Sequence, residues 1–104
     1  MSAYQAPLKD IRFTLNQICD LEGTLTLPKF ADTDGDTANA VLEEAGRLAA
    51  GILAPLNRQG DTQGATLANG VVTTPDGFRE AYAAFRDGGW NGIPFDPEFG
   101  GMGL

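Results

Sequence analysis

Leu8, Ile11, Leu15 and Ile18 recur at steps of three and four, which places them on one face of a helix. The pattern predicts a helix over residues 8–21. Pro7 suits its first turn, where a missing N–H costs nothing, and Gly23 is a plausible terminator. Residues 22–35 hold Leu25, Leu27 and Phe30, but Gly23, Pro28 and Gly35 break any long element, so an irregular connector is expected. The strongest periodic signal follows. Val41, Leu42, Ala45, Leu48, Ala49, Ile52, Leu53 and Leu56 form one broad stripe, with Glu43, Glu44 and Arg47 on the opposite side. A second helix is predicted over 36–54, capped by Asp36 or Thr37 and ended or kinked at Pro55. Gly46 and Gly51 weaken it by about 1 kcal/mol each, so it relies on neighbours. Asn69-Gly70 is a hairpin signal, with short strands on either side within 66–73. Thr74-Pro75 then opens a third helix, over 75–87, with Phe78, Ala81, Tyr82 and Phe85 on its apolar face and Gly88-Gly89 as its close. The fold class that emerges is mainly α: three main helices and one small hairpin.

The last stretch, GGWNGIPFDPEFGGMGL at 88–104, fits none of these patterns. It is too aromatic for a polar tail and too rich in glycine for a helix or strand. Trp90 is expected to plug a hydrophobic groove. Gly100-Gly101-Met102-Gly103 has no strand leading into it and no helix after it, so it reads as a backbone turn rather than a phosphate cradle.

Composition narrows the function. A chain of 104 residues builds one domain at most, and 42% hydrophobic content is enough for a modest core. The net charge of −7, with no basic run, argues against a nucleic-acid partner. One cysteine and no histidine exclude an internal disulfide, the usual zinc sites and any Ser-His or Cys-His dyad. The first residues do not form a signal peptide and no apolar run spans a bilayer, so a soluble, reducing, cytoplasmic setting is the expectation. Residues 32–43, DTDGDTANAVLE, place Asp32, Asp34, Asp36 and Glu43 at ligand positions of a calcium loop. Thr37 stands where that loop needs glycine, and helical periodicity has begun by Val41, so an acidic helix cap is the reading. Cys19 is expected to be a buried thiol, and Glu43 and Glu44 a solvated face. No metal site and no catalytic residue is expected. On residues alone, the chain is a small acidic helical domain, and a free-standing module that binds a partner protein is one function open to it.

The order of segments says more than any single motif. YQAPLKDIRFTLNQI, LEEAGRLAAGILAPLNRQGD, GATLANGVVTTPDGFREAYAAFRDGGWNGI and DPEFGGMGL together resemble the start of an acyl-CoA dehydrogenase. The likeness is closest to the long bacterial branch that includes the 3-methylmercaptopropionyl-CoA dehydrogenases, and it covers essentially the whole chain. The resemblance implies a parent enzyme that oxidises acyl-CoA to 2,3-enoyl-CoA with FAD as hydride acceptor, using a glutamate base from a later part of the polypeptide. No residue here matches that base or the flavin-contacting segments. What it implies for this chain is an N-terminal helical domain, truncated at its C-terminal end, that is inert alone and packs against the remaining domains. Residues 1–35 correspond to an N-terminal extension and 36–104 to the first part of that domain. Gly100, Gly101, Met102 and Leu104 would border the acyl-CoA pocket, and Trp90, Phe95 and Phe99 would anchor the connector carrying them. Isolated, the chain is expected to bind no FAD, to expose apolar surface on which a homo-oligomer could form, and to hold residues beyond Phe99 less firmly than the rest.

Overall fold

The computed structural model describes residues 3–104. Its spine is one long helical rod: α3 (Gly35–Leu48), a wide π-helical turn (Ala49–Leu53) and α4 (Ala54–Gln63). The rod starts where Asp34 accepts the Thr37 N–H at 2.7 Å, so the cap is Asp34 rather than Asp36 or Thr37. It does not end at Pro55. In the π turn the Ala54 N–H reaches back five residues to the Ala49 carbonyl, and Pro55 follows directly, inside the first turn of α4. The missing proline N–H thus falls where the regular ladder is already interrupted, and a π turn absorbs what would otherwise break the helix. Residues 57–63 are therefore helical, although their polar composition does not suggest it.

The first predicted helix is split. α1 (Leu8–Phe13) runs into a second π turn (Thr14–Ile18), and a new short helix, α2 (Leu21–Leu25), follows. The break is at Asp20, whose backbone is left-handed at φ 51° and whose carboxylate accepts the Gly23 N–H at 3.2 Å. Gly23 is thus not a terminator: it lies in the first turn of α2, where a Cβ would overlap the Asp20 carboxylate. α1 packs on α3. Arg12 fastens the pair, its guanidinium donating to Glu43 Oε1 at 2.7 Å and to Asn39 Oδ1 at 3.2 Å. Gly46 leaves room for Ala6 and Leu8 at ordinary contact distance.

β1 (Thr66–Ala68) and β2 (Val71–Thr73) form the expected antiparallel hairpin. Asn69 and Gly70 both have positive φ, 52° and 75°, as a type I′ turn requires. α5 (Phe78–Asp87) begins three residues later than the sequence suggests. Thr74–Gly77 forms a turn instead, with the Phe78 N–H on the Pro75 carbonyl and the Asp76 N–H on the Gln63 side chain. α5 runs back along the rod, placing Gly77 beside Leu56 and Trp90 beside Val41.

The final stretch is knitted by its own backbone. The N–H groups of Met102, Gly103 and Leu104 bond to the carbonyls of Gly92, Phe95 and Ile93, each at 2.9 Å. Residues past Phe99 are thus tied down rather than loose. The anchoring is not aromatic: Phe95 and Phe99 are 61% and 82% exposed, and only Trp90 among the three is half-buried. Cys19 is exposed as well, contrary to the buried thiol expected, as are the neighbouring residues 16–18.

The resulting shape is a flat 53 × 37 × 17 Å slab with a radius of gyration of 17.3 Å, against about 13 Å for a compact domain of this length. Its accessible surface is 7893 Å², where a folded monomer of 10.9 kDa exposes about 5,600 Å². Among the described residues only Pro75 and Ala81 are buried. The apolar stripe of α3 and α4 is half-covered by α1, α5 and the last segment, and the remainder faces outward.

The Asp34 cap gives a pH-dependent expectation. Its bond from the Thr37 N–H holds the Asp34 carboxyl below the ordinary carboxylate range. A depressed folded-state value means the cap contributes at neutral pH and is lost as pH falls through that value. Amide exchange of Thr37 and Ala38 should therefore accelerate below about pH 4 in the native chain, relative to mid-α4 amides. Asp34→Asn, which keeps a capping oxygen, should abolish that pH dependence.

Candidate functional site

A broad concavity lies between α4 and α5. Its lining includes Ala81, 6% exposed, and buried Pro75. One wall is Leu53 and Leu56 from the rod; the other is Phe78, Tyr82 and Phe85 from α5, spaced at three and four. The hairpin connection lets these helices sit antiparallel, and two glycines set the gap. A Cβ at Gly60 would come within 2.7 Å of Phe78 Cζ, and one at Gly77 within 2.7 Å of Leu56 Cδ2. The groove encloses about 690 Å³ and is open along one side, with Phe78 37% and Tyr82 59% exposed. Asn57, Asp61 and the Tyr82 hydroxyl are its polar groups. Such a lining buries an apolar surface. It offers no paired nucleophile and base.

The four residues singled out from the sequence are not in this groove, nor together in another. Met102 lies over the first half of α3, in a cleft of about 260 Å³ with Val41, Glu44 and Trp90. Gly100 and Gly101 line a separate hollow of about 450 Å³ with Gly92, Phe95 and Phe99. Leu104 lines neither and is half-buried. The backbone turn that joins them is tight: a Cβ at Gly101 would overlap the Phe95 carbonyl, and Gly100 and Gly103 have φ of 87° and 68°.

The acidic stretch 32–43 forms no ion-binding loop, because the helix begins at Gly35. Glu43 is held by Arg12, with Arg47 at 3.8 Å, and Glu44 is paired with Arg47. The Arg12 bridge was not legible in the sequence, since it joins residues 31 apart with no local signal.

No protein-family model matches the chain. Whole-sequence comparison does find relatives. A 3-methylmercaptopropionyl-CoA dehydrogenase of Ruegeria pomeroyi is 42% identical over 101 residues, spanning 97% of this chain. A broad-specificity linear acyl-CoA dehydrogenase of Mycobacterium tuberculosis is 31% identical over 104 residues, 98% of this chain. The chain is homologous to acyl-CoA dehydrogenases. It spans only 17% of the length of each of these two relatives. The mainly helical architecture with one small hairpin agrees with the N-terminal helical domain of an acyl-CoA dehydrogenase. Among the described residues no helix is long and apolar enough to cross a membrane.

The α4–α5 groove does not suit FAD or coenzyme A. Both carry phosphates, which are held by cations or by converging N–H groups. Among the described residues no Lys or Arg lines the groove, and its one charged group, Asp61, would repel them.

Proposed function

We propose that the chain is the N-terminal helical part of an FAD-dependent acyl-CoA dehydrogenase, acting in the cytoplasm on acyl-CoA. Its own role is structural: it packs against the other domains of that enzyme and helps to wall the acyl-CoA cleft. Residues 1–35 are an extension strapped to α3 by Arg12, and residues 36–104 are the first part of the helical domain. Gly100, Gly101, Met102 and Leu104 border the acyl pocket once the remaining polypeptide closes over them. The redox chemistry belongs to that remaining polypeptide, and the chain alone is inert.

Two observations support this reading. The match covers nearly all of the chain and a sixth of each relative, and the chain exposes about 2,300 Å² more than a compact monomer of its mass. A standard interface takes about 800 Å² from each partner, so the excess exceeds one such interface and resembles a domain face inside a larger protein. The test is direct. The purified 104-residue chain should show no flavin absorbance and no reduction of a dye acceptor with acyl-CoA. Stoichiometric FAD in the pure chain would overturn the assignment of the chemistry to the rest of the enzyme.

A further inference from the structure

Two Asn-Gly dipeptides stand in the chain, Asn69-Gly70 and Asn91-Gly92. This pair of residues carries its own chemistry. The backbone nitrogen of the glycine attacks the side-chain amide carbon of the asparagine, and a glycine, having no Cβ, leaves that approach unhindered. A C–N bond forms, the side-chain nitrogen leaves as ammonia, and a five-membered succinimide results. Water then opens the ring at either carbonyl, giving aspartate or isoaspartate. The only co-reactant is water.

The fold treats the two sites differently. Asn91 lies inside the short helical turn Trp90–Gly92, and its glycine is held on both sides. The Gly92 N–H donates to the Gly89 carbonyl at 3.0 Å, and the Gly92 carbonyl accepts from the N–H groups of Phe95 at 3.1 Å and Met102 at 2.9 Å. Asn69 is exposed at the tip of the hairpin, and the Gly70 N–H bonds to no other backbone group among the described residues. Only the shape of the turn protects it. Asn69 has φ 52°, and the first central position of a type I′ turn has ψ of about +30°. At that ψ the Gly70 nitrogen lies on the far side of the Cα–C bond from the Asn69 side chain, so the ring closes only once the turn has opened. Opening costs little. Each strand has three residues, Leu67, Val71 and Val72 stay exposed, and a lone two-stranded hairpin is marginal in water.

We propose that Asn69 is a site of spontaneous deamidation whose rate is set by opening of the β1–β2 hairpin, while Asn91 is spared. The change is one-way. Isoaspartate adds a methylene to the backbone, so a two-residue turn no longer returns Leu67 to its register with Val72, and the hairpin does not re-form. Aspartate, the other product, still suits a type I′ turn before glycine and keeps the hairpin. The proposal concerns this chain's own turn and does not depend on the dehydrogenase reading. A longer polypeptide lying on the hairpin would slow the reaction by holding the turn shut.

The two dipeptides make the test internal to one sample. The chain is incubated in mildly alkaline buffer, and peptide mapping by mass spectrometry follows the exchange of ammonia for water at each site. Asn69 should convert at least tenfold faster than Asn91, and the difference should vanish in denaturant, where neither site is held. A disulfide staple tests the opening step. Leu67 and Val72 form the pair next to the hydrogen-bonded pair at the turn, with Cα atoms about 4.5 Å apart, within disulfide range. In a Cys19→Ser background, Leu67→Cys with Val72→Cys should slow conversion of Asn69 at least tenfold when oxidised, and reduction should restore it. Conversion of Asn69 no faster than Asn91 in the native chain, a difference that persists in denaturant, or a rate that the staple leaves unchanged would overturn the proposal. Each of these results would leave the dehydrogenase assignment standing.

Discussion

Replacing Gly101 with alanine should dismantle the C-terminal turn while leaving the helical rod intact. The added methyl would lie on the Phe95 carbonyl and crowd its Cβ, and the obstacle is backbone rather than a flexible side-chain end. Overpacking of this kind costs about 1–3 kcal/mol, with the upper part of the range expected where backbone must move. The loss should be local. The amides of Met102, Gly103 and Leu104, bonded to Gly92, Phe95 and Ile93, should exchange at least tenfold faster, while amides of α4 keep their protection. Gly51→Ala is the contrast. Nothing lies within 4 Å of its Cβ position in the rod, so alanine should stabilise the chain by up to about 1 kcal/mol. Equal effects from the two substitutions would mean that the turn is not built as described.

Ala81→Asp should have the largest effect of any single change. Ala81 is only 6% exposed and lines the α4–α5 groove together with Leu53, Leu56, Phe78 and Phe85. No cation lines that site to receive a carboxylate. An uncompensated buried charge costs about 3–5 kcal/mol, and ordinary domains have only about 5–15 kcal/mol in total. A slab with so little buried surface sits at the low end of that range, so the variant should be largely unfolded by circular dichroism at 25 °C. A cooperative thermal transition close to that of the native chain would show that α5 is not held to the rod through this contact.

The elements visible in the sequence were those whose cause is local. The 3.6-residue stripe from Val41 to Leu56 marks the rod, and Asn69-Gly70 marks the hairpin, because both signals reside in neighbouring residues. What stayed hidden had non-local or compensating causes. Pro55 breaks a regular helix, but the π turn before it already interrupts the hydrogen-bond ladder, and no composition rule announces such a turn. The Arg12–Glu43 bridge depends on α1 lying across α3. Gly23 reads as a stop until Asp20 turns left-handed and uses the space that a side chain would fill. Phe95 and Phe99 read as anchors by hydrophobicity, yet they face outward, as they would if a further part of a larger protein were to cover them. For the same reason the grouping of Gly100, Gly101, Met102 and Leu104 around one pocket is not visible within this chain. Under the proposed reading, the surfaces that would complete it belong to the rest of the enzyme.

The length of the native open reading frame decides whether this chain is part of a longer enzyme. The frame should continue past Leu104 for several times the length of this chain, in keeping with relatives of which the chain spans 17%, and encode a flavin-binding domain. A stop codon immediately after Leu104 would contradict this expectation, and would leave a small acidic helical protein whose exposed apolar faces serve a different partner.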